Sequence, residues 1–140
     1  MHFSFQNNHY LYLVIDLLTD GDLRYHLFHK RAFSEEQSKF FISCVLLRLE
    51  YCHSNLIIHL DIKQENVILD SDGYALITDF GIAKMQQSNN SKETSGTPGY
   101  MAPEVLFGKN HTTVVDYFAW GVMCYERVKP YVGKTEQKLK

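Results

Sequence analysis

His59-Leu60-Asp61-Ile62-Lys63-Gln64-Glu65-Asn66 lies between two short runs of β-forming residues, Leu56 to Ile58 and Val67 to Leu69. A carboxylate, an ammonium and an amide therefore share one strand-flanked loop. A second carboxylate follows in Asp79-Phe80-Gly81, directly after a third run, Tyr74 to Thr78. Asp70-Ser71-Asp72-Gly73 separates the second and third runs and reads as a hairpin turn. Two oxygen donors facing one point suit a hard cation such as Mg²⁺, which prefers one or two carboxylates together with phosphates and water. The neighbouring Asp61 and Lys63 can then serve a hydroxyl nucleophile and a phosphoryl group. A third cluster, Gly96-Thr97-Pro98-Gly99-Tyr100-Met101-Ala102-Pro103-Glu104, stands beyond a polar stretch from Met85 to Ser95, which reads as a mobile surface loop.

Working outward, Ser34-Glu35-Glu36-Gln37 matches a capping box. Phe40, Phe41, Val45, Leu46, Leu49 and Cys52 then recur at helical spacing, which predicts a long helix ending near Ser54-Asn55. Thr19 to Asp22 is turn chemistry able to cap a helix beginning near Leu23. Tyr10 to Ile15 reads as a buried strand, and Val114 to Tyr125 as a further helix. Lys134 to Lys140 reads as a frayed end. With 140 residues, 45% hydrophobic, 21% charged and a net charge of −2, the chain has the dimensions of one domain around one core. That balance gives no reason to expect nucleic acid or an anionic membrane as the main partner. No apolar run is long enough to span a membrane, and Met1 to Tyr10 does not read as a secretory signal. Cys44, Cys52 and Cys124 form no CxxC pair, which favours reduced thiols and a cytoplasmic location.

Each cluster alone has a bland reading as a solvated loop or common turn. Their joint occurrence in this order resembles the eukaryotic protein kinases, from about Phe3 to Tyr125. The resemblance implies an α+β, protein-kinase-like fold in partial form. Residues 1–18 are the end of the N-lobe and the hinge, and 19–140 are a mainly helical C-lobe up to about helix F. The implied cofactors are ATP and Mg²⁺. Asp61 is implied as the catalytic base and Lys63 as the group steadying the γ-phosphate, with Asn66 and Asp79 as metal ligands. Thr97 packs beside Asp61 and Lys63. On the nucleotide side the resemblance implies Ile15 as gatekeeper, Asp16 to Leu18 as hinge, Asp22 near the ribose, Glu65, and Ile68 beneath the adenine. Asp116 is implied to brace the backbone of the Asp61 loop, while His59 and Phe80 stack in the core.

Lys63 and the Gly96 to Tyr100 segment resemble serine/threonine rather than tyrosine kinases. The run Gly21 to Leu27 is similar to the YANK group within the AGC class. Protein substrates bearing Ser or Thr follow, and Asp22, Glu65 and Glu126 imply a preference for basic ones. The pattern is broken at Leu60, where the family carries an arginine that meets a phosphate on the activation loop. Glu93 stands where many AGC relatives carry the phosphorylated threonine. No GxGxxG loop or VAIK-type lysine precedes the hinge. The expectation is therefore a marginal fold or an incomplete gene model, with the long helix and the hinge strand facing water. A kinase-like binding module without catalysis is the alternative reading. A small-molecule kinase is a weaker one, opposed by the Gly96 to Glu104 segment.

Overall fold

A computed structural model of the chain describes residues 2–126. The chain opens with an antiparallel hairpin of β1 (Phe3–Gln6) and β2 (Leu11–Val14), in register from Phe3 opposite Val14 to Gln6 opposite Leu11. Asn7 makes the turn, its side-chain oxygen accepting from the backbone N–H of His9 and Tyr10, both at 2.8 Å. The sequence predicts a buried strand over Tyr10 to Ile15. Instead every residue of β1 and β2 is exposed. Apolar content marks this segment as a strand, but burial needs a second layer, and no described element covers either face of the hairpin.

Helix α1 (Leu23–Lys30) is capped by Asp22, whose carboxylate accepts from Tyr25 N at 2.7 Å. Helix α2 (Glu35–Ser54) starts on the expected capping box. Gln37 N donates to Ser34 Oγ at 3.1 Å, and Ser34 N donates back to Gln37 Oε1 at 3.2 Å. Its buried face carries Val45, Leu49 and Cys52, whereas Phe40 and Leu46 of the predicted stripe stay exposed.

Beyond α2 come β3 (Ile57–Ile58), a 3-10 turn over Gln64–Asn66, β4 (Val67–Leu69), β5 (Ala75–Ile77) and β6 (Lys84–Met85). β4 pairs with β5 across the expected turn, where Asp70 Oδ1 accepts from Asp72 N and Tyr74 N. β3 pairs with β6, so the two ends of the site-bearing region meet. A four-residue α3 (Pro103–Leu106) begins on proline, which loses no bond at a first-turn position. Helix α4 (Val114–Glu126) completes the described fold.

Among the described residues the architecture is α+β, with three two-stranded antiparallel sheets set around helices. The main core joins Leu23, Val45, Leu49, Val67, Ala75 and Met123 between α1, α2, the β4–β5 hairpin and α4. A second cluster of Ile58, Leu60, Ala102, Val105 and Val115 lies under the loop before Asp61. Among the described residues no helix is long and apolar enough to cross a membrane, and the three cysteines are free thiols. Lys134 to Lys140 lies outside the described residues.

Candidate active site

The loop between β3 and the 3-10 turn is held from below by one carboxylate. Asp116, at the start of α4, is 1% exposed. Its Oδ2 accepts from His59 N at 2.8 Å and its Oδ1 from Leu60 N at 2.9 Å. His53, in the last turn of α2, adds its Nε2 to Oδ2 at 2.8 Å. The His53 contact escaped sequence reasoning, because a histidine near a helix end carries no mark of a partner 63 residues away.

The His59 ring is fully buried and packs edge-on against Phe80 at 4.7 Å between centroids. Its Nε2 lies 3.1 Å from Thr78 O. Burial holds its pKa below the usual imidazole value, outweighing the Asp116, Asp61 and Asp79 charges nearby. The ring is a packed structural element of the site, whereas Phe80, expected in the core beside it, is 47% exposed.

Above this floor Asp61, Lys63, Asn66 and Thr97 meet. Thr97 Oγ1 donates to Asp61 Oδ1 at 2.5 Å and accepts from Lys63 Nζ at 2.8 Å. Lys63 Nζ also reaches Asp61 Oδ2 at 2.8 Å. Asn66 Nδ2 donates to both Asp61 O and Asp61 Oδ2, each at 2.9 Å. Burial raises the Asp61 pKa, but hydrogen bonds from Lys63, Thr97 and Asn66, with the Lys63 charge, outweigh it. The carboxyl is held below its usual range and is ionised at neutral pH.

Thr97 arrives here because Gly96 lets two backbones touch. Its φ is +145°, and a Cβ at that position would stand 2.9 Å from Leu60 O. Leu60 itself has φ +68° and Asp79 has φ +61°. Both turns flanking the cluster therefore use conformations that cost a non-glycine residue about 1–3 kcal/mol.

Asp79 follows Thr78, whose N–H and hydroxyl both donate to Asn66 O, at 2.9 and 3.2 Å. That pair ties the Asp79 turn to the Asn66 turn. The Asp79 side chain is exposed, with one oxygen accepting from Gly81 N at 3.2 Å. The Asn66 amide nitrogen is spent inward on Asp61, which leaves its amide oxygen as the other polar atom of the side chain. An amide oxygen and an exposed carboxylate are donor types that suit a hard divalent cation.

The nucleotide-side candidates are less unified. Asp22 and Ile68 form a backbone bridge, reinforced by Leu69 N to Gly21 O at 3.1 Å. Glu65 is exposed, with Arg24 Nε 4.0 Å from its carboxylate. Ile15 is exposed at the end of the hairpin, and Leu18 is half-buried. Asp16 pairs with His2 at 2.7 Å, a hydrogen bond that lowers its pKa. Glu104 has no ion-pair partner among the described residues.

A family model for the protein kinase domain matches residues 1–138. A probable serine/threonine-protein kinase of Dictyostelium discoideum is 41% identical across 96% of this chain and 29% of its own length. Serine/threonine-protein kinase sgk-1 of Caenorhabditis elegans is 39% identical across 99% of this chain and 31% of its own. Human serine/threonine-protein kinase Sgk1 is 41% identical across 90% and 30%. The chain therefore spans less than a third of the length of these relatives. With the site's geometry and a match over nearly every residue, the chain belongs to the protein kinase domain family.

Proposed function

We propose that this chain is the catalytic-loop region of a serine/threonine protein kinase, which moves the γ-phosphoryl group of ATP to a Ser or Thr hydroxyl of a protein. The observation that carries this reading is the convergence of Asp61, Lys63, Asn66 and Thr97 in one hydrogen-bonded cluster tied to Asp79 through Thr78. Asp61, ionised and held beside Thr97, accepts the proton of the incoming hydroxyl. Lys63 supplies fixed positive charge where the phosphoryl group passes, and Thr97 orients Asp61 and Lys63 together. Asn66 Oδ1 and the Asp79 carboxylate would hold Mg²⁺, which neutralises phosphate charge when bound. Ile15, Asp16, Leu18, Asp22, Glu65 and Ile68 form the nucleotide side.

In this reading residues 1–18 are the end of an N-lobe with its hinge, and 19–140 belong to a C-lobe up to about helix F. The acidic Asp22, Glu65 and Glu126 favour basic substrates. The similarity of Gly21 to Leu27 to the YANK group is a finer placement within the AGC class.

The exposed hairpin favours a second reading, a kinase-like binding module that docks a partner on its apolar faces. The two readings separate in one experiment on the whole chain: Mg²⁺-dependent ATP binding by calorimetry, followed by transfer to a basic peptide. The kinase reading expects binding that Asp79→Ala abolishes and transfer that Asp61→Asn abolishes. Transfer that survives Asp61→Asn removes Asp61 from its role. A folded chain that binds no nucleotide favours the binding module.

A further inference from the structure

Polar composition over Met85 to Ser95 points to a loose loop, yet Asn90 in its middle is 4% exposed. All of its side-chain polar atoms are used. Asn90 Nδ2 donates to His111 O at 2.8 Å and to Gln87 O at 3.0 Å, while its Oδ1 accepts from Gln87 N at 3.1 Å. Asn90 N donates to Asn110 Oδ1 at 2.8 Å, and Asn110 Nδ2 returns a bond to Ser88 O at 3.2 Å. Gln86 joins the same seam, its Oε1 accepting from Thr113 N at 3.2 Å. Residues 86–90 are thus stitched to 110–113, the segment that leads into α4 and Asp116. The bond from Asn90 Nδ2 to His111 O is fully buried, and buried polar groups are costly to leave half-satisfied, so the part-buried bonds around it close with it.

Charge contributes little to this order. Lys84 Nζ stands 3.6 Å from Glu93 Oε2, but both side chains are substantially solvated, which leaves such a pair weak. The 59–66 loop has one lysine and no arginine, and Lys63 is already engaged by Asp61 and Thr97. A phosphate on Thr94 or Ser95 therefore finds no uncommitted lysine or arginine in that loop.

We propose that the Asn90 clasp positions the path from Ser91 to Thr97, so that Thr97 reaches Asp61 and Lys63 in the unphosphorylated chain. Asn90 and Asn110 are positioning residues, and their consequence for catalysis rests on the kinase reading above. The clasp holds the segment's entry and Gly96 its exit. The phosphorylatable hydroxyls between them are spectators of the segment's order.

Hydrogen exchange on the phosphatase-treated whole chain tests this without requiring activity. Amides of 86–97 are expected to be protected. Asn110→Ala, at an exposed position, should speed their exchange about three- to tenfold while α2 stays unchanged. Asn90→Ala should do more, and if it also exposes α2 then Asn110→Ala decides. Unchanged exchange of 86–97 in Asn110→Ala overturns the proposal, as does protection that appears only after phosphorylation of Thr94 or Ser95. In a chain that transfers phosphate, Asn110→Ala should raise KM for peptide several-fold with KM for ATP unmoved. A chain that transfers none counts against the kinase reading, and the exchange result still judges the clasp.

Discussion

The β1–β2 hairpin and the loop from His59 to Asn66 reverse the ordinary relation between composition and burial. Leu11 in the hairpin is 66% exposed, while Asn66 in the loop is 7% exposed. The hairpin is rich in aromatic and aliphatic residues and faces water. The loop carries an aspartate, a lysine, a glutamine and an asparagine and is largely enclosed. What separates them is partners. The loop's polar groups are met one by one, its backbone by Asp116 and its side chains by one another. The hairpin's apolar groups mostly meet only each other, as in the stacking of Phe5 on Tyr12 at 4.8 Å. Hydropathy states what a segment can gain from burial. The rest of the fold decides whether it is buried.

The strongest way to break that contrast is to remove the floor of the loop. Asp116→Ala leaves His53 Nε2, His59 N and Leu60 N without their shared acceptor. It is expected to cost about 3–5 kcal/mol, as loss of a buried hydrogen-bonded charge does. Denaturant unfolding checks this, and a loss under about 1 kcal/mol would mean that the brace is idle.

A smaller effect should come from acid. The pKa of His59 is lowered in the fold by burial, against an unfolded value of about 6.5. Above about pH 6.5 both states are neutral at this residue and it adds no pH dependence. As pH falls below that value the unfolded chain takes up a proton that the folded chain refuses, so stability declines toward the folded pKa. His59→Gln should flatten the slope of stability between about pH 7 and pH 5. An unchanged slope would assign it to other groups. Asp61 acts in a separate, more acidic window. Its lowered folded pKa gives stability that is present above about pH 3.9 and lost as pH falls through the folded value.

The smallest effect should come from the hairpin itself. Leu13→Ser replaces an exposed leucine and is expected to shift stability by no more than about 0.5 kcal/mol in the described fold. A larger loss would show that the hairpin is covered in solution.

Much of this was legible in the sequence because it depends on near neighbours. The Ser34–Gln37 capping box, the Asp70 to Gly73 turn and the spacing of Asp61, Lys63 and Asn66 each close within a few residues. The meeting of Thr97 with Asp61 was legible only through the family resemblance, since 36 residues separate them. The clasp at Asn90 was not legible at all. Its side chain is satisfied by backbone carbonyls at Gln87 and His111, and a carbonyl looks the same whatever residue carries it. A run of polar residues therefore reads as loose although it is tied down. The hairpin's exposure was hidden for a related reason, because a short apolar run does not reveal whether another layer will cover it.

The brace beneath His59 spans 57 residues of chain. At about 5–20 residues per second, a ribosome needs roughly 3–11 seconds to deliver Asp116 after His59 has emerged. Throughout that interval the segment bearing Asp61 has left the tunnel without its anchor. The loop is thus unbraced during its own synthesis and comes into register only as α4 arrives, a timing written into the order of residues along the chain.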